Sequence, residues 1–236
     1  MKILIIIPAY NEAGNIENTL ADIQTHCPDM DYVVINDCST DNTRDILCRI
    51  GAAHIDLPIN LGIGGGVQTG YRYAMENGYD IAVQFDGDGQ HMAQYISDLI
   101  APIEAGQADV VIGSRFVDKR GFQSSFMRRC GIRLLSRLIR SLCGVEVLDV
   151  TSGFRAVNRK MICFFAENYA QDYPEPEAIL ASGCNKAAIC EVPVQMRERQ
   201  GGKSSITPGR SMYYIIKVSL ALIVSRMTFS NEVKQR

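Results

Sequence analysis

The chain has 236 residues, with 24 Lys and Arg against 26 Asp and Glu and a net charge of -2 at neutral pH. Apolar residues make up 47% and charged residues 21%, enough for one domain with a sizeable core, which excludes a disordered chain. The charge balance argues against nucleic acid as a main partner. The eight cysteines include no Cys-x-x-Cys pair and no histidine at zinc-finger spacing, so reduced thiols in a cytoplasmic setting are expected.

A first strand is predicted at Lys2–Ile7. Its apolar run, Ile3 to Ile7, ends at Pro8 without a small-residue cleavage site, so it reads as a buried strand and not as a signal peptide. It exits into Pro8-Ala9-Tyr10-Asn11-Glu12. A helix is predicted over Glu12–His26, where Ile16, Leu20 and Ile23 recur at helical spacing and Asn11 stands where a cap belongs. Strand Tyr32–Asn36 exits into Asp37-Cys38-Ser39-Thr40-Asp41, and a helix follows over Asp41–Ile50. Strand His54–Leu57 exits into Asn60-Leu61-Gly62-Ile63-Gly64-Gly65-Gly66, a glycine-rich loop opening a helix at Gly65–Asn77. A fourth strand, Ile81–Phe85, runs into Asp86-Gly87-Asp88-Gly89-Gln90-His91, ahead of a helix at Met92–Ala105 and a fifth strand at Val110–Gly113.

Short apolar strands alternating with helices of ten to fifteen residues define an α/β domain with a mainly parallel sheet flanked by helices. Ligands of such sheets collect beyond the carboxyl ends of the strands, and here four strand exits bring acids, a tyrosine and glycines toward one crevice. Asp86 and Asp88 flank a glycine that lets both carboxylates face one point, a donor set suited to a magnesium or manganese ion that shares a substrate's phosphates. An ordinary polar turn is the competing reading of the same residues.

Beyond residue 115 the pattern is less regular. Arg115, Lys119, Arg120, Arg128, Arg129, Arg133, Arg137 and Arg140 make this stretch basic, while Leu134, Leu135, Leu138, Ile139 and Leu142 form an apolar stripe. The pattern reads equally as a membrane-surface helix or as a helix packed on the sheet. Residues 212–229 form a second apolar stretch, interrupted by Lys217 and Arg226 and at the short limit for a span, so a packed or membrane-surface helix is expected. The domain is expected to occupy 1–210, with 211–236 a C-terminal helix and tail that touches the membrane or a second copy. Two lookalikes are set aside. Gly62-Ile63-Gly64-Gly65-Gly66-Val67 lacks the last glycine of a dinucleotide fingerprint, and Arg197 stands where the first glycine of a phosphate loop ending in Gly202-Lys203-Ser204 belongs.

With these residues in view, the chain resembles family 2 glycosyltransferases of the GT-A type, and within them the dolichyl-phosphate mannose synthase and bacterial polyprenyl-phosphate glycosyltransferase branch. The carrying segments are Ile7 to Glu12, Asn36 to Asp41, Asn60-Leu61-Gly62, Asp86 to His91, Gly113-Ser114-Arg115-Phe116 and Thr151-Ser152-Gly153-Phe154-Arg155, in family order. The resemblance implies a Rossmann-like GT-A domain with C-terminal amphipathic helices. It also implies an inverting, Mg2+- or Mn2+-dependent transfer of sugar from a GDP-, UDP- or dTDP-linked donor to a lipid phosphate. By the same resemblance Pro8, Tyr10, Glu12, Asp37, Gly62, Asp86, Gly87, Arg199 and Ser204 would hold the nucleotide sugar. Asp86, Asp88 and Gln90 would hold the metal, with Asp88 and Arg115 catalytic, and Arg115, Arg128 and Arg129 would meet the acceptor phosphate.

Several readings stand beside these. Arg115 could simply pair with an acid, and Glu12 could serve the helix dipole. In Asp172-Tyr173-Pro174-Glu175-Pro176-Glu177 the acids suit a sugar hydroxyl, and the prolines equally suit the start of a helix. A phosphate acceptor needs no general base; a hydroxyl acceptor would need one, with Asp149, Asp172, Glu175 and Glu177 as candidates. The branch's paired C-terminal spanning helices are missing, so attachment at the inner face of the membrane would rest on the amphipathic helices or a small membrane partner. A soluble acceptor is the runner-up, and a non-catalytic nucleotide-sugar binder belongs to a different class. A nucleotidyltransferase would need a basic triphosphate loop where Pro8 to Glu12 stands.

Overall fold

The computed structural model describes residues 1–118, 126–197 and 208–235 and, within the last two stretches, the side chains of 129–197 and 213–228. In chain order the elements are β1 (Ile3–Ala9), α1 (Ile16–His26), β2 (Asp31–Asn36), α2 (Thr43–Arg49), β3 (His54–Asp56), α3 (Gly62–Glu76) and β4 (Ile81–Gln84). A single turn of tighter helix (Ala93–Tyr95) leads into α4 (Ile96–Glu104) and β5 (Val110–Ser114). Then come α5 (Phe126–Cys143), β6 (Arg155–Asn158), α6 (Arg159–Glu167), α7 (Pro174–Cys184), β7 (Ile189–Pro193) and α8 (Pro208–Gln235).

The strands form one sheet in the order β3-β2-β1-β4-β6-β5-β7, parallel except where β6 runs antiparallel between β4 and β5. Helices cover both faces, which is why β1 is apolar without alternation. Leu4 and Ile6 enter the core under α3, α5, α6, α7 and α8, while Ile5 and Ile7 enter the core under α1, α2 and α4. All five residues from Ile3 to Ile7 except Ile3 are wholly buried.

The five predicted strands are all present, within two residues at each end. The sequence reading did not predict β6 and β7, because β6 is four residues long and begins on an arginine. Two local expectations are corrected. Asn11 does not cap α1: its backbone is left-handed (φ 57°), its side chain accepts from Thr40 N at 2.8 Å, and the helix starts at Ile16. The glycine-rich run is helix from Gly62 onward, not loop. Its glycines serve close packing, since a Cβ on Gly64 would lie 2.3 Å from the Ala170 carbonyl oxygen and one on Gly70 would lie 2.1 Å from Ile6 Cγ2.

The last helix packs along α5 and α7, burying Val218 and Leu222, and Gly131 lets α5 approach Ile215 closely. Its other face is bare and apolar, with Tyr213, Ile216, Leu220, Ile223, Val224 and Met227 exposed at helical spacing. The basic helix α5 divides in the same way. Ile132, Leu135 and Ile139 are buried, while Arg133, Leu134, Arg137 and Arg140 face solvent. Among the described residues no helix is long and apolar enough to cross a membrane.

Candidate active site

The exits of β1, β2, β3 and β4 meet in a cleft of about 350 Å3, within the range of small-molecule sites. Pro8, Tyr10, Glu12, Asp37, Gly62, Asp86, Gly87 and Asp88 line it with Ala9, Asn60, Ile63 and Gly66. The sequence therefore identified most of the wall. Two of the acids also brace it. Asp37 Oδ1 accepts from Leu61 N at 2.7 Å, tying the β2 exit to the start of α3, and Glu12 Oε2 accepts from Asn15 Nδ2 at 2.8 Å. Tyr10 stands half-exposed, in contrast to the buried Glu12 and Asp37.

The loop after β4 is rigid for identifiable reasons. Gly87 N donates to the Pro8 carbonyl, and a Cβ there would lie 3.1 Å from that same oxygen. Gly89 turns with φ 75°, and Gln90 N donates to Asp88 Oδ1 at 3.0 Å. His91, which the sequence reading quoted without a role, pins the loop from beneath. Its Nδ1 accepts from Asp86 N at 3.0 Å, and its ring stacks on Phe154 at 4.7 Å. Burial pushes the imidazole down to about 4, so it is neutral at physiological pH and suited to accept that bond.

Asp86 and Asp88 supply hard oxygen donors on one wall of one cleft, and no group of three or more His, Cys, Asp or Glu among the described residues is arranged as a complete metal cage. That donor set fits a magnesium or manganese ion, which takes one or two carboxylates and completes its shell with phosphate oxygens and water. Gln90 is half-buried outside the cleft wall, and its carbonyl accepts from Arg197 N.

Arg115 is nearly buried at the end of β5 and pairs with the wholly buried Asp149. Asp149 is held in turn by Glu191, which accepts from Leu148 N and Asp149 N. The ion-pair reading of Arg115 is therefore realised in the structure, and Asp149, with both oxygens on a guanidinium, is unsuited to act as a general base. Arg129 lies in the first turns of α5, half-buried. Arg199, Ser204, Lys119, Arg120 and the side chain of Arg128 lie outside the described residues, as do Gly202 and Lys203. Pro174 opens α7, so Glu175 and Glu177 sit in its first turn, and Glu177 accepts from Ser225 on α8.

The family model for Glycosyl transferase family 2 matches residues 4–165. The chain belongs to glycosyltransferase family 2 and is a glycosyltransferase with a GT-A fold. It is 32% identical over 213 residues to the UDP-N-acetylglucosamine–dolichyl-phosphate N-acetylglucosaminyltransferase of Methanococcus voltae, covering 82% of this chain and 84% of that one. The polyprenol monophosphomannose synthase of Mycolicibacterium smegmatis is 26% identical over 231 residues, covering 92% and 86%. Among solved structures, glucosyl-3-phosphoglycerate synthase of Mycobacterium tuberculosis, bound to Mn2+, uridine diphosphate and glucosyl-3-phosphoglycerate, superposes with a TM-score of 0.72. It is 20% identical, and the match covers 95% of this chain and 79% of that one.

Proposed function

We propose that this glycosyltransferase moves a sugar, with inversion, from a nucleotide sugar to a polyprenyl phosphate at the inner face of a membrane. The observation that carries the reading is the meeting of Asp86, Gly87 and Asp88 with Pro8, Tyr10, Glu12 and Asp37 in one cleft. It stands beside relatives named for transfer to dolichyl phosphate and for polyprenol monophosphomannose synthesis.

Tyr10, Glu12 and Asp37 hold the nucleoside, with Pro8 and Gly62 shaping the wall. Asp86, Gly87 and Asp88 face the diphosphate, with Gln90 beside them. Asp86 and Asp88 would hold a divalent ion there, which would supply charge stabilisation to the departing nucleoside diphosphate. Arg199 and Ser204 close over the donor phosphates, as the sequence resemblance implies. Arg115, its Nε and Nη2 held by Asp149, meets the acceptor phosphate with a positive charge fixed in place, together with Arg129 or Arg128. The acceptor oxygen arrives already anionic, so positioning replaces proton removal, consistent with the engagement of Asp149. Glu175 and Glu177, at the head of α7, serve the sugar hydroxyls.

Attachment to the bilayer rests on the bare apolar face of α8 and the exposed arginines of α5, a combination suited to an anionic surface. A soluble acceptor is the second reading, favoured by the likeness in fold to a synthase bound to glucosyl-3-phosphoglycerate. The test is a panel of GDP-, UDP- and dTDP-sugars with Mg2+ or Mn2+, with and without polyprenyl phosphate. Sugar-lipid formation with one donor supports the reading, and donor turnover indifferent to lipid moves the acceptor to soluble molecules.

A further inference from the structure

Beneath the cleft lies a buried polar group. Gln84 on β4 and Arg155 on β6 are register partners across an antiparallel pair, and both are wholly buried. Tyr169 Oη donates to Gln84 Oε1 at 3.2 Å. That bond fixes the amide so that its Nε2 faces Asp86 Oδ1 at 3.5 Å. Gly153 closes the arrangement, because a Cβ there would lie 3.0 Å from Asp86 Oδ2, 3.0 Å from Gln84 Nε2 and 3.2 Å from Asp86 Oδ1. A side chain there would press the carboxylate away from this backbone.

Arg155 ties the group to its surroundings. Its Nη2 donates to the Ser152 carbonyl at 2.7 Å, just before Gly153, and reaches the Glu175 carbonyl at 3.5 Å in the first turn of α7. Its Nε and Nη1 have no partner among the described residues. A buried guanidinium bound only to carbonyls is a costly way to fill space, and an apolar side chain would do so at less cost. What the arginine adds is a fixed link between the Gly153 turn and the Glu175 turn, and a positive charge near Asp86.

We infer that Gln84, Gly153, Arg155 and Tyr169 are positioning residues that fix the Asp86 carboxylate for the donor diphosphate and its divalent ion. The inference rests on the proposed metal-dependent donor site. Gly153→Ala pushes the carboxylate by a few tenths of an ångström, and Tyr169→Phe removes one hydroxyl while keeping the ring against Tyr71 and Phe165. Arg155→Lys and Arg155→Met separate charge from packing.

The experiment measures free Mn2+ by electron paramagnetic resonance, with UDP or GDP present, beside the melting temperature of each full-length variant. Gly153→Ala and Tyr169→Phe are expected to melt as the wild type does and to bind Mn2+ about tenfold more weakly, the scale of losses behind a metal ligand. Arg155→Lys is expected to retain part of the affinity that Arg155→Met loses. Wild-type Mn2+ affinity in the first two variants, or losses in all four that merely follow melting temperature, overturns this inference alone. A wild-type protein that takes up no Mn2+ with either diphosphate overturns the metal reading and this inference with it.

Discussion

Arg115 and Asp149 are joined by two parallel hydrogen bonds, Nε to Oδ2 at 2.7 Å and Nη2 to Oδ1 at 2.8 Å, with the Arg115 backbone N–H a third donor to Oδ2. Thr151 Oγ1 accepts from Nη2 at 3.0 Å and completes the clamp. The pair closes the gap between the end of β5 and the segment that leads into β6. It also holds the Arg115 guanidinium in one orientation, so a ligand that met it would not have to immobilise a mobile side chain.

Removing one partner strands the other. Asp149→Ala is expected to destabilise the protein by about 3–5 kcal/mol, because the buried Arg115 then loses its carboxylate. Urea unfolding measures this. The double variant Arg115→Met with Asp149→Leu should recover much of that loss and should still fail to transfer sugar to a lipid phosphate. A stable and active double variant would limit Arg115 to a structural role.

Asp88 tests the proposed metal role apart from the fold. It is half-buried in the cleft wall, and its Oδ1 accepts from Gln90 N in the same loop. Asp88→Ala should keep the wild-type melting temperature and lose at least ~100-fold in metal-dependent turnover, the scale of removing one electrostatic stabiliser. Ordinary activity in this variant would sink the metal assignment.

The glycine run offers a contrast within a single helix turn. Gly64→Ala is expected to cost about 1–3 kcal/mol, since its Cβ meets the backbone at Ala170 and neither side yields easily. Gly66→Ala should change stability by less than about 1 kcal/mol, because its nearest neighbours, Pro8 Cβ at 3.7 Å and Ile35 Cγ2 at 4.0 Å, are at ordinary contact. Thermal melts of the two variants, run side by side, decide the point.

Glu177 links stability to pH. Burial pushes its carboxyl up, the Ser225 hydroxyl pulls it back in part, and Asp172 adds a smaller push upward. A carboxyl whose folded pKa lies above its unfolded value of 4.5 favours the fold while protonated, and that contribution is lost as pH rises from 4.5 through the folded value. Glu177→Gln keeps an acceptor for Ser225 and removes the buried charge. Its melting temperature should exceed the wild type's at pH 7, with a smaller gain at pH 4, while turnover falls if the carboxylate serves the sugar.

The parts of this protein that were legible in its sequence are those governed by one strand or one loop. Unbroken apolar runs such as Ile3 to Ile7 announced strands covered on both faces, and the strand-exit rule then located Tyr10, Asp37 and Asp86 in one cleft. What escaped depends on pairings between distant segments. Arg155 is opposite Gln84 only because β6 inserts antiparallel between β4 and β5, and no local pattern in four residues signals that. Likewise Gly64 looked like a loop residue until the Ala170 backbone was found where its side chain would go. Asn11 looked like a helix cap because its use by Thr40, across two loops, has no sequence signature.

The central claim is transfer to an acceptor that is already anionic. Its most direct test supplies the wild-type protein with its nucleotide sugar, Mg2+ or Mn2+, and either a polyprenyl phosphate or the same polyprenol without phosphate, and follows nucleoside diphosphate release. The account predicts release that requires both the metal and the phosphorylated lipid, with the free alcohol no better than no acceptor. Equal release with the alcohol, or full release without any lipid, would contradict it.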